Sequence, residues 1–162
     1  MKKIVIVRHA KSSWKHNVID FERPLNDRGL RDAKLISEHK FFEDFIPDLI
    51  ISSDANRAQT TAKIFIDSVN LKNVDFQLNN RLYDFSGNDL FDVIKNCDDS
   101  INNLMVFGHN HAMTAFVNLY GSLPIENVAT NGLVCIEFDI NSWKNLSRGL
   151  TLFKVFPKDL KS

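Results

Sequence analysis

Two hydrophobic rhythms alternate along the chain. Ile4-Val5-Ile6-Val7 is an unbroken β-branched run, and Asp48-Leu49-Ile50-Ile51 and Asn103-Leu104-Met105-Val106-Phe107 repeat the pattern. Such short apolar runs suit strands covered on both faces, as in a parallel sheet. Val74 to Leu78 reads as a further strand. Between these runs the spacing turns helical. Ala58, Thr61, Ala62, Phe65 and Val69 share one face of a helix from about Ala55 to Val69. Leu90, Val93, Ile94 and Cys97 mark another, and Met113, Phe116, Val117 and Tyr120 a third. Asn26 is placed to cap an earlier helix, with Asp27 in its first turn, running to about Phe42 before Pro47 breaks the chain. Leu133 to Ile140 and Leu150 to Phe156 are two last strands, close enough in sequence to pair antiparallel. Strands alternating with helices predict an α/β domain around a mostly parallel sheet.

Composition narrows the class. The 162 residues predict one domain spanning 1–162. Lys plus Arg and Asp plus Glu are 20 each, a zero net charge that argues against a nucleic-acid partner. The zero hides an uneven layout: residues 8–34 hold seven Lys or Arg against four Asp or Glu, an excess that favours an arriving anion. Cys97 and Cys135 have no metal-ligand spacing and read as buried free thiols. The opening residues lack a secretory apolar segment, and no apolar run is long enough for a membrane span. A cytoplasmic protein without a membrane partner is expected. The oligomeric state stays open.

Candidate chemistry collects just past the strands, where ligands sit in open α/β sheets. Arg8 and His9 follow the first run. Ser52-Ser53-Asp54-Ala55-Asn56-Arg57 follows the second, with Arg57 in the opening turn of a helix. Arg81-Leu82-Tyr83-Asp84 follows the third, and Gly108-His109-Asn110-His111 the fourth. Two guanidiniums offer planar forks of donors to a phosphate. A neutral imidazole can carry a covalent intermediate. Arg8, Arg57 and a cationic His109 would stabilise a phosphoryl group moving to His9 without a metal. The chain has neither a P-loop nor a Gly-x-Gly-x-x-Gly fingerprint, so a nucleotide-binding reading lacks its usual support.

Val7-Arg8-His9-Ala10-Lys11-Ser12-Ser13-Trp14 resembles the Arg-His-Gly/Ala signature of the histidine phosphatase superfamily (phosphoglycerate mutase-like). Arg23-Pro24-Leu25-Asn26-Asp27-Arg28-Gly29 resembles its Leu-Thr-x-x-Gly entry into the first helix. Ser52-Ser53-Asp54-Ala55-Asn56-Arg57-Ala58-Gln59-Thr60-Thr61-Ala62 resembles its Ser-x-x-x-Arg-Ala-x-x-Thr-Ala block, and Gly108-His109-Asn110 its second-histidine motif. The blocks run in order from Ile4 to about Pro157. Length and the Arg-His-Ala-Lys-Ser-Ser-Trp form look most like the SixA branch of phosphohistidine phosphatases. The resemblance implies a phosphoglycerate mutase-like three-layer α/β/α sandwich with an antiparallel strand near the C-terminus. It implies His9 as a nucleophile that becomes phosphorylated, with Arg8, Arg57 and His109 as the phosphate pocket. It implies no metal and no cofactor. Its expected partner is a phosphorylated substrate, such as a phosphohistidine-bearing signalling protein.

Departures matter too. His111 stands where the family often has proline. Asn110 differs from the His-Asp pair of the acid-phosphatase branch, in which the aspartate donates a proton. Asp84 occupies the place of the mutase branch's acid, so it is the candidate acid here; the alternative is a cap on the next helix. Trp14 is expected to pack its loop down; the alternative is a ring that faces the substrate. A small-molecule phosphomonoesterase and a non-catalytic phosphate- or protein-binding module are the competing readings. The short chain leaves little for a lid, so an open site suited to a phosphorylated side chain on another protein is expected.

Overall fold

The computed structural model describes residues 1–161. Six strands form one sheet: β1 (Lys2–Arg8), β2 (Leu49–Ser52), β3 (Asp75–Leu78), β4 (Asn103–Gly108), β5 (Leu133–Phe138) and β6 (Leu150–Val155), in the order β3-β2-β4-β1-β5-β6. β1, β2, β3 and β4 pair in parallel, whereas β5 is antiparallel to both β1 and β6. One strand therefore runs against the rest, as the short final connection predicted.

The β-branched runs are buried on both faces, because the sheet sorts alternate residues into two cores. Val5 and Val7 point to the side of α1 (Asp27–Ser37) and α2 (Asn56–Ser68), with Ala33, Ile36, Ala62 and Phe65. Ile4 and Ile6 point to the side of α3 (Asn88–Lys95) and α4 (Ala112–Tyr120), with Leu90, Ile94, Phe116 and Val117. A last turn, α5 (Pro157–Leu160), packs near α1. This is a three-layer sandwich.

One expectation needs correcting. The first helix does not reach Phe42 but ends at Ser37. His39 is extended there, and its Nδ1 accepts the Phe41 N–H to open a short 3-10 turn over Lys40–Glu43. That turn aims Phe42 at Phe65 in the core, with ring centroids 5.9 Å apart. Cys135 is buried as expected, while Cys97 is only half-buried; burial pushes the Cys97 thiol up to about 11. Among the described residues no helix is long and apolar enough to cross a membrane.

Strand register positions the site. In the β1–β4 ladder Arg8 lies opposite Gly108, so the next residues, His9 and His109, emerge side by side. In the β2–β4 ladder Ser52 lies opposite Phe107, which brings Ser53 to the same edge.

Candidate active site

His9 is held at the mouth of β1 by its own backbone. Its N–H donates to the Gly108 carbonyl at 3.1 Å, and its carbonyl accepts the Asn131 N–H at 2.9 Å. Its Nδ1 lies 2.7 Å from the Ala10 carbonyl oxygen. A carbonyl only accepts, so Nδ1 carries the proton and Nε2 keeps its lone pair. The Arg57 Nε–H points at that Nε2 from 3.4 Å. Burial pushes the imidazole down to about 3; the Ala10 contact opposes this, and Arg57, Arg8 and Arg23 reinforce it. His9 is thus neutral near pH 7 and only 7% exposed.

The face of α2 explains where Arg57 points. Arg57, Thr61 and Phe65 recur every four residues and share one stripe. Phe65 anchors the stripe edge-to-face on Phe107 at 5.2 Å. One turn earlier, Thr61 Oγ1 accepts the Ala10 N–H at 3.0 Å and donates to the Arg57 carbonyl at 2.7 Å. One turn earlier still, the buried Arg57 guanidinium meets His9.

His109 reaches the same edge. Its Nε2 lies 2.8 Å from Ser53 Oγ, which also accepts the Ala55 N–H at 3.1 Å. Among the described residues His109 Nε2 is the one acceptor within reach of the Ser53 hydroxyl proton, so Oγ–H donates to Nε2 and the imidazole proton sits on Nδ1. The His9 and His109 rings stand 5.2 Å apart. Both line a cavity of about 230 Å³ with Arg8, Arg57, Arg23 and Lys11.

The buried polar atoms without a partner decide what this cavity is for. They are Arg8 Nε, His109 Nδ1 and both side-chain polar atoms of Asn131. An unpaired buried polar group costs about 1–3 kcal/mol, so native proteins keep few of them. Here they gather on residues at the carboxyl edge of the sheet. Arg8 and His109, which carry two of these atoms, line a cavity rich in cations and free of carboxylates among the described residues, which is the chemistry of an oxyanion site.

Known proteins agree. The profile of the histidine phosphatase superfamily (branch 1) matches residues 4–96. The chain belongs to that superfamily. A Mycobacterium tuberculosis protein without an assigned function is 30% identical over 133 residues, covering 82% of this chain and 80% of its own. A protein of Agrobacterium tumefaciens provisionally assigned as the phosphohistidine phosphatase SixA superposes with a TM-score of 0.80 at 24% identity, covering 96% of this chain and 98% of its own. The protein histidine phosphatase SixA complexed with tungstate superposes at 0.78 and 17% identity, covering 98% of this chain and 99% of its own. The fold is thus phosphoglycerate mutase-like, and the chain is a phosphatase of this superfamily.

In this phosphatase the structure brings Arg8, His9, Arg57 and His109 together and leaves Asp84 out. Asp84 Oδ2 accepts the Gly87 and Leu90 N–H groups at 3.1 and 3.0 Å, and Oδ1 accepts from Ser86. Burial raises its carboxyl, but these bonds outweigh burial and hold it below the ordinary range. These are the bonds of a cap on α3, the alternative reading of Asp84, and Asp84 does not line the cavity. His109 differs from expectation as well. Burial first, then His9 and Arg57, push its pKa far down, so it is neutral rather than cationic in the free site. Asn110 braces the loop: its amide nitrogen donates to Asn127 at 2.7 Å, and its oxygen accepts from Thr114 Oγ1 at 2.8 Å. His111 is exposed at the start of α4.

Sequence reasoning missed Asp20. Its Oδ2 accepts from Arg57 Nη2 at 3.0 Å and the Tyr83 hydroxyl at 2.5 Å, and Oδ1 accepts from Arg23 Nη1 at 2.9 Å. Its carbonyl takes Arg57 Nη1 at 2.7 Å. Burial raises its carboxyl, but bonds from Tyr83, Arg23 and Arg57 hold it well below the ordinary range. Asp20 thus ties the loops after β1, β2 and β3 around the pocket, and Tyr83 in turn packs edge-on to His109 at 5.3 Å. No motif flags it, since Arg57 and Tyr83 lie far along the chain and only Arg23 is near in sequence. Asn131 was missed too; its positive φ of 55° is a sign visible only in the backbone.

Proposed function

We propose that this phosphatase removes the phosphoryl group from a phosphohistidine-bearing protein through an intermediate on His9. The observation that carries the reading is the donor-lined, carboxylate-free cavity around a neutral Nε2. In the first step Nε2 attacks phosphorus, the P–Nε2 bond forms and the substrate's P–N bond breaks. The negative charge on the equatorial oxygens is met by Arg8, Arg57 and the Nδ1–H of His109. In the second step water attacks phosphorus, the P–Nε2 bond breaks, and inorganic phosphate leaves. No metal enters either step.

The leaving group favours this substrate class. An alkoxide needs a proton from a positioned acid. Asp84 is engaged as a cap and Asp20 is held ionised, so neither serves. A departing imidazole nitrogen is readily protonated near pH 7 and needs no such acid. P–N cleavage therefore outpaces P–O ester cleavage.

Incubation with phosphoramidate is expected to give an acid-labile, base-stable phosphoenzyme that is insensitive to EDTA and absent in His9→Ala. Turnover persisting in His9→Ala would refute the nucleophile. Faster hydrolysis of a phosphoserine peptide than of a phosphohistidine peptide would refute the substrate class.

A further inference from the structure

A second, larger cavity of about 560 Å³ adjoins the phosphate pocket. The two share Lys11, Ser12 and Trp14, so this groove lies directly beside the phosphate pocket. Its walls are the segment after His9 and the entry to α1. These are fixed against each other: Ser12 bridges Leu25, the Ser13 N–H donates to the Pro24 carbonyl at 2.8 Å, and the Asn26 N–H donates to the Lys11 carbonyl at 3.0 Å. Gly29 presses so close that a Cβ there would clash with the Lys11 carbonyl oxygen. The groove is thus a built feature of the loop.

Its chemistry is uneven. Lys11, Lys15 and Arg28 line it against a single carboxylate, Asp27. Among the described residues neither Lys11 nor Lys15 is ion-paired, although the chain as a whole is neutral. Trp14 stands between the two cavities, and it does not pack the loop down as expected: it is 77% exposed. Its ring is nonetheless held, with the Arg23 guanidinium 3.3 Å from the ring centroid. Arg23 is buried and locked by Ser13 O, Asp20 and Ser12. A rigid, exposed indole beside unpaired cations is a preorganised anchor of the kind found at the centre of protein interfaces.

We infer that this groove docks a carboxylate-bearing polypeptide segment flanking the phosphorylated residue of the substrate protein. Trp14 packs on that segment's backbone and apolar side chains, while Lys11 and Lys15 receive its carboxylates; Arg28, paired with Asp32 at 3.6 Å, adds to the positive field. The inference rests on the phosphohistidine reading and adds to it the chemistry of the neighbouring sequence. Most of the groove's volume lies beyond the phosphoryl pocket, which fits a polypeptide better than a small metabolite.

The test uses three phosphohistidine peptides differing only in the flanking residues: Asp/Glu, Asn/Gln and Lys. At low salt the wild-type chain is expected to prefer the acidic over the neutral peptide by roughly three- to tenfold in kcat/KM, from a few partly exposed ion pairs, with the preference shrinking as salt rises. In Lys15→Glu the ratio is expected to fall to one or below, and the Lys-flanked peptide to gain. Each ratio is taken within one protein preparation, so a partly unfolded variant does not mimic the effect. Trp14 fluorescence supplies a second readout, because the other tryptophan, Trp143, is fully buried. The unphosphorylated acidic peptide is expected to shift it. Equal turnover of all three peptides, or a preference unchanged in Lys15→Glu, overturns the docking inference and leaves the phosphohistidine reading standing. No turnover of any peptide, with turnover of a phosphorylated metabolite, overturns both. A Lys15→Glu effect confined to a doubly phosphorylated small molecule assigns the groove to a second phosphate and overturns the inference.

Discussion

The two ends of β1 each draw a cation away from water, Lys2 wholly and Arg8 in part, and they treat it in opposite ways. At the start of the strand, Lys2 is 2% exposed. Its ammonium donates to Asp99 O at 2.7 Å, Ile101 O at 3.0 Å and Asn102 Oδ1 at 3.0 Å, and it lies 5.6 Å from the centre of the Trp143 ring. All three of its donors are used. At the end of the strand, Arg8 gives Nη1 to the Val128 carbonyl at 2.8 Å and leaves its buried Nε without a partner. The unused capacity of the second cation is shared by His109 Nδ1 beside it. A satisfied buried charge is part of the fold. An unsatisfied one beside a cavity is held ready for a ligand, and the fold carries its cost.

The sharpest way to break this comparison is to remove each cation in turn. Arg8→Ala is expected to lower kcat by about 10²–10³, as loss of a charge-stabilising donor does, with little change in urea stability. Lys2→Met is expected to do the reverse. It strands the Asp99 carbonyl and Asn102 Oδ1, while Ile101 O keeps the Trp143 indole N–H, and it destabilises by roughly 1–3 kcal/mol with kcat of the folded protein unchanged. Paired denaturation curves and steady-state kinetics check both. A stability loss in Arg8→Ala matching that of Lys2→Met would erase the distinction between the two ends.

Acid sharpens the comparison further, because the unsatisfied end also holds the two depressed histidines. In the unfolded chain His9 and His109 bind protons from pH 6.5 downward; in the native site His9 does so only near pH 3, and His109 lower. The unfolded state therefore binds more protons below pH 6.5, and stability falls as pH falls from there towards 3. Each histidine contributes at most about 1.4 kcal/mol per pH unit. Thermal melts between pH 7.5 and 5 are expected to show that slope, and His9→Ala to flatten it. Imidazole NMR signals of both residues should hold still between pH 5 and 8; a midpoint near 6.5 for either would break the assignment.

The smallest expected effect concerns the rim. Asp20→Asn keeps the shape of the side chain but weakens the bonds that set the Arg57 fork. Turnover is expected to fall on the order of tenfold through misplacement of Arg57, with KM changed less. An unaltered kcat would show that Phe65 and Thr61 suffice to aim Arg57.

Much of the fold was readable because its signals are local. Ile4 to Val7 can only be a buried strand, and the 58, 61, 62, 65 spacing can only be one helix face. The same helix face places Arg57, one turn before Thr61 and two before Phe65, so the strand-end residues Arg8, His9, Arg57 and His109 followed from element order. Asp84 is ambiguous for a local reason as well. Its sequence position suits an acid and a cap equally, and its bonds to Gly87 and Leu90 are a matter of loop geometry. The helix expected to reach Phe42 failed at His39, where a side-chain bond to the Phe41 N–H competes with the helical ladder.

Periodicity and strand-end chemistry, which depend on neighbours a few residues away, are set by the amino-acid order itself. Three things were left to the tertiary structure: the β1–β4 register that sets His9 beside His109, the carboxylate of Asp20 that meets Arg57 and Tyr83 from 37 and 63 residues away, and the proton inventory of the histidines. Each depends on which distant groups are packed together and on how much water they lose, and burial and electrostatic neighbours are properties of the folded chain rather than of any segment of it.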